Sequence, residues 1–278
     1  MKDNLEPIIN NVKSNARQLL ETLIIIVLST IPFFVDLSEL FKDYLAKEQL
    51  SPENVIEYIA ISKGKYIAAF ILLLFSIYII RKCNSQYSMN ERRVYHEYPY
   101  IWYLYCAKIL GIKKCSLVLV PIYMQFKLII RGVFNSYPLD EKEYPVLENE
   151  PECSIQKINT DGSDKEINLI LEDTYTIQYE QIPIEKTQYK TIKISRNNGN
   201  SNDRHYSQQF IEKTINEVRH ISGNTIVNVF ATTNPMNNIY LARQVFGLGN
   251  RGNILHLFVF QQSRNMGRKF EPKGHKIY

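Results

Sequence analysis

The sequence predicts a membrane-anchored α/β protein, in which two N-terminal transmembrane helices precede a domain built on a mainly parallel sheet. Two observations predict this class. Apolar residues crowd the first half of the 278-residue chain, whereas polar residues dominate from about Asp140 onward. The second half then alternates strand-like with helix-like patterns. The net charge of +5 is mild, so we expect no DNA or RNA polymer as a partner.

Two apolar stretches near the N-terminus predict a membrane hairpin in the lipid bilayer. Leu19 to Val35 carries one charge, Glu21, and Tyr66 to Ile80 carries none. With their flanks, we assign transmembrane helices to residues 19–37 and 63–81. A pair of buried core helices in a soluble protein is the alternative. It is disfavoured because so small a domain could not cover helices that are apolar all round.

The charges beside the two helices predict their orientation. Lysine and arginine flank the outer ends, in residues 1–18 and 81–93, whereas residues 36–65 hold six acids against four lysines. The positive-inside rule therefore predicts both termini in the cytoplasm and residues 38–62 outside. Ser51-Pro52-Glu53 in this external loop predicts the start of a short helix.

Residues 82–152 form a juxtamembrane segment and an acidic linker. Residues 95–134 are aromatic, apolar and basic together, and lysines or Arg131 interrupt each apolar run, so a third span is disfavoured. This stretch either lies in the membrane interface or forms core of the following domain, and both alternatives fit the sequence. Asp140 to Glu152 carries six acids and predicts a linker or exposed loop, which sets the start of a cytoplasmic ligand-sensing domain at residue 153.

Alternating strands and helices follow in residues 153–278. Buried strands appear as short apolar runs, and helices appear as apolar stripes with capping residues at their starts. The glycines of residues 247–252 spell G-x-G-x-x-G, but they follow a helix, so they predict a turn and not a dinucleotide site. The predicted strands are Ile167–Leu171, Thr174–Ile182, Thr191–Ser195, Thr225–Ala231 and Ile254–Phe260, and the predicted helices are Ser207–Ile221 and a second one that opens at Asn234-Pro235 and ends near Gly247.

Polar residues follow the predicted strands, at the edge where parallel sheets bind their ligands. The amides that open the Pro235 helix favour an anion such as phosphate, and Arg, Asn, Gln and Thr suit phosphate oxygens, base edges and ribose hydroxyls. The alternative is that these are ordinary loop residues with capping roles, and for Asn234 by itself a cap is the favoured interpretation. The candidate ligand-binding residues are Asp173, Thr174, Ser195, Arg196, Arg204, Thr232, Thr233, Asn234, Gln262 and Arg264.

Enzymatic signatures are missing from the sequence. There is no Walker A, H-E-x-x-H, G-x-S-x-G or paired-carboxylate pattern, and three of the histidines, His205, His220 and His256, are scattered. The four cysteines lack metal-site spacing and predict free thiols of a reducing compartment. We therefore expect a non-enzymatic protein without a metal or cofactor.

Residues 224–262 resemble the C-terminal half of a SAVED domain, a relative of the CARF fold. An apolar strand ends in small residues and Pro235, a helix with a central Ala242 closes at Gly247, and another apolar strand follows. The resemblance implies a Rossmann-like domain that binds a cyclic di- or oligonucleotide through residues such as Arg196, Thr232 and Thr233.

On a two-span anchor, such a domain is similar to the membrane effectors of CBASS and Panoptes-type bacterial antiphage defence, in which a regulatory cyclic nucleotide controls membrane disruption. This resemblance implies a location in the bacterial inner membrane. A full SAVED domain has two CARF-like halves and this chain has one clear half, so a homo-oligomer is expected. Two alternatives are a STING-like receptor, which predicts a long helix directly after the spans, and a membrane scaffold with a protein partner.

Overall fold

The chain forms two compact units, which are described separately. The membrane unit comprises Met1–Val94 and Ile101–Lys114, and the α/β unit comprises Tyr95–Tyr100 and Cys115–Tyr278. Three stretches for which the sequence made predictions lie outside the described residues: 36–62 with the helix start expected at Ser51, the polar loop 197–203, and the glycine motif after Gly247. The computed structural model describes residues 12–35, 63–147, 150, 152–196, 204–247, 253–263 and 267–278.

Both apolar stretches of the membrane unit are helical. Helix α1 spans Ala16–Phe34 and helix α2 spans Gly64–Cys83, 19 and 20 residues respectively. The assigned spans 19–37 and 63–81 therefore match these helices to within a few residues. At 1.5 Å per residue each helix extends about 28–30 Å, the thickness of the hydrocarbon core of a bilayer.

The two helices pack along a narrow seam. The buried positions of α1 recur every seven residues, the period of a left-handed coiled coil. On α2, small side chains at the seam let the two backbones approach closely, as in membrane helix pairs. The buried residues are Gln18, Ile25 and Pro32 of α1 and Ala69, Ser76 and Ile80 of α2.

The remaining faces of α1 and α2 are apolar and uncovered. Only 22% of the α1 span and 17% of the α2 span are buried within the described structure. Leu20, Phe70 and Phe75 are each more than half exposed. A core helix of a soluble protein would be mostly covered, so the structure favours membrane helices over the alternative of buried core helices.

The juxtamembrane residues divide between the two units. Helix α3, Tyr100–Lys108, has nine residues and is too short to span a bilayer. Helix α4, Ile122–Ile130, buries Phe126 and Leu128 completely within the α/β unit. Residues 95–134 were expected either to lie in the membrane interface or to form core of the following domain, and neither alternative holds for the whole stretch. Residues 101–114 pack with the membrane helices, whereas the residues from Cys115 onward supply core of the α/β unit. Two short strands, β1 (Ser88–Met89) and β2 (Lys114–Cys115), flank α3 in the sequence.

The segment predicted as an acidic linker contributes to the α/β unit. Glu141–Glu143 forms a 3-10 turn that Asp140 caps, with the amide of Lys142 donating to its side chain. Tyr144 is only 2% exposed, and Val146 forms an isolated bridge with Tyr206. The compact unit that holds the sheet therefore begins well before residue 153.

A six-stranded mixed sheet forms the centre of the α/β unit. Its order is β3-β5-β4-β6-β7-β8, with the four central strands parallel and the two edge strands antiparallel. The prediction of a mainly parallel sheet is confirmed, but the two edge strands were not predicted. The strands are β3 Ser154–Ile158, β4 Glu166–Glu172, β5 Lys190–Ser195, β6 Thr225–Ala231, β7 Ile254–Phe260 and β8 His275–Lys276.

The two predicted helices of this unit are confirmed. Helix α5 spans Gln208–Arg219, and its N-cap Ser207 accepts a hydrogen bond from the amide of Phe210. Helix α6 spans Pro235–Tyr240 and continues as a π-helix over Leu241–Phe246. Asn234 caps α6 by accepting from the amide of Asn237 at 3.0 Å, so the cap predicted for Asn234 is present.

The prediction of a strand at Thr174–Ile182 was wrong. This stretch is irregular and ends in a 3-10 turn at Tyr179–Gln181, followed by a second turn at Ile184–Lys186. Ile177 and Ile182 are buried in a cluster with Ile170, Phe230, Phe260 and Phe270, so the segment covers one face of the sheet and does not add a strand to it. A strand and an irregular segment that covers a sheet can both bury alternate side chains, so both produce the same alternation of apolar and polar residues in the sequence.

Candidate ligand site at the carboxyl edge of the sheet

Asp173, the first residue after β4, is the centre of a buried polar cluster. Its carboxylate accepts from Nε of Arg196 at 2.6 Å, from the backbone and side-chain nitrogens of Asn234 at 2.9 and 2.8 Å, and from Nδ2 of Asn237 at 2.9 Å. The side chains of Asp173 and Arg196 are 0% and 2% exposed. Together with His205, these residues form what we call the Asp173 cluster. Its centre is a buried ion pair between two of the protein's own side chains, Asp173 and Arg196.

Arg196 connects the ends of two strands through this cluster. Its amide donates to the carbonyl of Glu172, and Nη2 donates to the carbonyl of Asp173 at 3.1 Å. Nη1 lies 2.7 Å from Nδ1 of His205. Burial and the adjacent Arg196 charge hold the pKa of His205 below its usual 6.5, so the ring is neutral at neutral pH and accepts the guanidinium hydrogen bond.

The three predicted threonines are also buried and hydrogen-bonded. Thr174 Oγ1 donates to the carbonyl of Thr232 at 2.5 Å, and Thr232 Oγ1 donates to the carbonyl of Tyr175 at 2.7 Å. Thr233 Oγ1 donates to Oδ1 of Asn238. The first two bonds join the end of β6 to the loop after β4, whereas the third lies within the start of α6.

The ten predicted ligand residues therefore differ sharply in accessibility. Arg204 is exposed, and Gln262 is partly exposed, although its Nε2 atom is buried without a hydrogen-bond partner in the described part of the chain. Arg264 lies outside the described residues. Seven are buried, each 6% exposed or less, namely Asp173, Thr174, Ser195, Arg196, Thr232, Thr233 and Asn234.

Two residues at this edge were not predicted from the sequence. Tyr175 directly follows the buried Thr174, and the exposed guanidinium of Arg268 stacks 4.3 Å from the centre of its ring. An aromatic face beside cationic groups can bind a planar base and a phosphate. The position of Tyr175 after a strand was a usable signal, whereas nothing in the sequence indicated that Arg268 stacks on it.

His205, Asn237 and Asn238 were also missed. The carbonyl of His205 accepts from the side chains of Asn234 and Asn237, at 2.9 and 3.2 Å. Asn238 Nδ2 donates to Oε1 of Gln125 in α4 at 2.9 Å. Two consecutive asparagines in the first turn after Pro235 were a signal, because this residue type is unusual inside helices unless its side chain bonds locally.

A cavity lies at the opposite, amino edge of the sheet. Its volume is about 230 Å³, and Ile167, Ile192 and Ile221 form its apolar floor. Two ion pairs border it, Lys157 with Glu217 at 2.8 Å and Lys190 with Asp164 at 2.6 Å. Each of these four charges therefore already has a partner of opposite sign.

Metal ligands do not cluster anywhere in the described parts of the chain. All four cysteines are free thiols, and three of them are buried. Burial raises the pKa of the Cys153 thiol to about 11, so this group is protonated and unreactive at neutral pH.

Two exposed apolar helices and an α/β unit with a polar edge define a two-span membrane-associated α/β protein. The chain belongs to the SUa-2TM family, described as the SMODS- and ubiquitin system-associated 2TM effector domain, whose family model matches residues 5–278. No curated protein matches the sequence.

Proposed function

We propose that this protein is a membrane effector of bacterial antiphage defence whose α/β unit binds a cyclic di- or oligonucleotide, and that this ligand controls membrane disruption by helices α1 and α2. One observation carries the proposal. The chain belongs to a 2TM effector family, and its two long helices turn largely uncovered apolar faces outward. In the proposed arrangement the protein lies in the inner membrane with both termini cytoplasmic, acts as a homo-oligomer and has no enzymatic activity.

The polar edge supports the ligand part of the proposal. Residues 224–262 resemble the SAVED and CARF domains that bind such messengers, and this stretch supplies Thr232, Thr233 and Asn234 to the edge. In our proposal the exposed Arg204 makes the first phosphate contact. A phosphate then competes with the Asp173 carboxylate for the Arg196 guanidinium, since both are anions suited to the same donors.

This competition provides two states with different packing. In the closed state Asp173 joins β4, β5 and the start of α6, and a bound phosphate replaces it in the open state. A ligand shifts such an equilibrium only by its difference in affinity for the two states. The ligand binds the open state more tightly than the closed state, because it reaches Arg196 only after the buried Asp173–Arg196 pair has separated.

The test is binding of labelled cyclic di- and oligonucleotides to the detergent-solubilised full chain. We expect one messenger of the panel to bind, and Arg204→Gln to weaken its binding roughly tenfold or more, the value of a charge-assisted hydrogen bond. The matched control is Arg219→Gln, an exposed arginine at the amino edge beside the cavity residue His220. The same messenger should change dye release from liposomes that contain the protein.

The two arginine variants distinguish a ligand site at the carboxyl edge of the sheet from one at the cavity of the amino edge. Loss of binding in Arg219→Gln with normal binding in Arg204→Gln would move the ligand to the cavity at the amino edge. Absence of binding across the whole panel would end the messenger proposal.

A membrane scaffold with a protein partner is the second candidate, and the closed Asp173 cluster favours it. If no nucleotide opens the cluster, the edge is a structural lock and the exposed surface serves a protein. The STING-like alternative is weaker, because helix α3 has nine residues where a long helix after the spans was expected.

A further inference from the structure

The end of the membrane unit at which α2 terminates carries a dense group of cations. Residues 81–93 and 108–114 together contain seven lysines and arginines and a single acid, Glu91. We define the basic collar as Arg81, Lys82, Lys108, Lys113 and Lys114. Four of these five are exposed, and Lys114 is partly exposed.

Contacts within the membrane unit bring the two stretches together. Nη1 of Arg81 donates to the carbonyl of Lys108, and Nδ2 of Asn84 donates to the carbonyl of Leu110 at 3.0 Å. Gly111 lies so close to Arg81 that a Cβ there would sit 2.6 Å from its Cγ atom, and its φ of +73° also favours glycine. Lys114 Nζ donates to Oε1 of Gln86 at 3.1 Å. The 108–114 stretch therefore runs along the end of α2.

A triad of polar side chains fixes the same end of the hairpin. Arg17 donates to Glu21 at 2.8 Å and to Oδ1 of Asn84 at 2.9 Å, and Asn84 donates to Glu21 at 2.7 Å. Glu21 is thereby neutralised by Arg17 within the triad. The charge of the collar is consequently not balanced by the acid of α1.

The helix that ends at Lys108 also carries apolar and aromatic side chains. Ile101 and Ile109 of the α3 region are 69% and 38% exposed. Trp102 donates to Oδ1 of Asn15 at 2.9 Å and stacks on Tyr105, with ring centres 5.6 Å apart. Exposed isoleucines together with an indole and a phenol beside lysines suit the boundary between acyl chains and headgroups, and an acidic protein segment would not need the apolar part.

We propose that the basic collar binds the anionic headgroups of phospholipids in the leaflet where α2 ends. Arg81 and Lys82 close α2 directly after the uncharged run that ends at Ile80, which puts them at headgroup depth. Lys108, Lys113 and Lys114 add charge at the same level through the contacts above. The inference rests on the membrane association in the proposed function and not on the messenger.

The experiment measures phospholipid retention by the detergent-solubilised full chain, using native mass spectrometry with phosphatidylglycerol and phosphatidylcholine. We expect preferential retention of phosphatidylglycerol. The variant K108Q/K113Q/K114Q should reduce this preference roughly tenfold or more, given the contribution of each basic residue near an anionic surface. The matched control K269Q/K273Q/K276Q removes three exposed lysines of the α/β unit and should retain the preference.

A charge-preserving variant and a competition with inorganic phosphate serve as controls for the lipid measurement. The charge-preserving variant K108R/K113R/K114R should retain phosphatidylglycerol, which separates loss of charge from loss of folding. Inorganic phosphate should not displace the lipid. Equal retention of the two lipids by the wild-type chain, an unchanged preference in the glutamine variant, or displacement by inorganic phosphate would each overturn the proposal. Nucleotide binding is measured on the same samples. A failure of lipid retention alone contradicts this proposal, whereas a failure of nucleotide binding alone contradicts the messenger proposal.

Discussion

Asp173→Ala is expected to destabilise the full chain by about 3–5 kcal/mol, because it leaves the Arg196 guanidinium buried without its counter-ion. The same change removes the acceptor for the side chains of Asn234 and Asn237 and for the backbone amide of Asn234, the N-cap of α6. Thermal unfolding of the detergent-solubilised protein, followed by circular dichroism, measures the loss. We expect the midpoint to fall by roughly 6–20 °C for a domain of this size.

Two further variants assign this loss to the buried pair. Asp164→Ala also breaks an ion pair, but the Asp164 side chain is half exposed, so its midpoint should change little. Asp173→Ala combined with Arg196→Met should recover much of the loss, because a buried pair can be replaced by apolar groups more cheaply than it can be broken. A stable Asp173→Ala protein that has lost only nucleotide binding would mean that Asp173 faces the ligand directly, contrary to the closed cluster.

Phe230→Ala is expected to cost a similar amount, about 3–5 kcal/mol, through the cavity that it creates. Phe230 is fully buried in β6. Its ring stacks on Phe260 with centres 4.5 Å apart and meets the edge of Phe270 at 5.2 Å. The same thermal measurement applies, with Leu255→Ala as the control.

Leu255 lies on the neighbouring strand β7 and is 50% exposed, so its truncation should cost about 1 kcal/mol or less. Phe230→Ala and Phe260→Ala should also be non-additive, since each removes the stacking partner of the other. A loss for Phe230→Ala no larger than that for Leu255→Ala would contradict the assignment of this cluster to the core.

The central strands were predictable because they are covered on both faces. Such strands appear as short, mostly apolar runs bounded by turns, as in Ile167–Leu171 and Thr225–Ala231, each interrupted by a single asparagine. The edge strand β3 was not predictable in the same way, because four of its five residues are exposed and its sequence has no buried face. Strand β8 has only two residues, too few for any periodicity.

The position of the candidate site was predictable, but its accessibility was not. Parallel sheets bind ligands at the carboxyl ends of their strands, and this rule placed Asp173, Arg196 and Thr232 correctly at one edge of the sheet. Sequence position does not show whether such side chains bond to one another or face solvent. The partners that close the cluster, His205 and Asn237, lie 32 and 64 residues from Asp173, so the closure is a tertiary property.

Topology is the most direct test of the account, since the proposed messenger is made inside the cell and the α/β unit must lie there to meet it. Paired reporters, one active only in the cytoplasm and one only in the periplasm, would be fused through a flexible linker after Tyr278, and separately inserted within residues 38–62. We expect a cytoplasmic signal at the C-terminus and a periplasmic signal in the loop. A periplasmic signal after Tyr278 would contradict it.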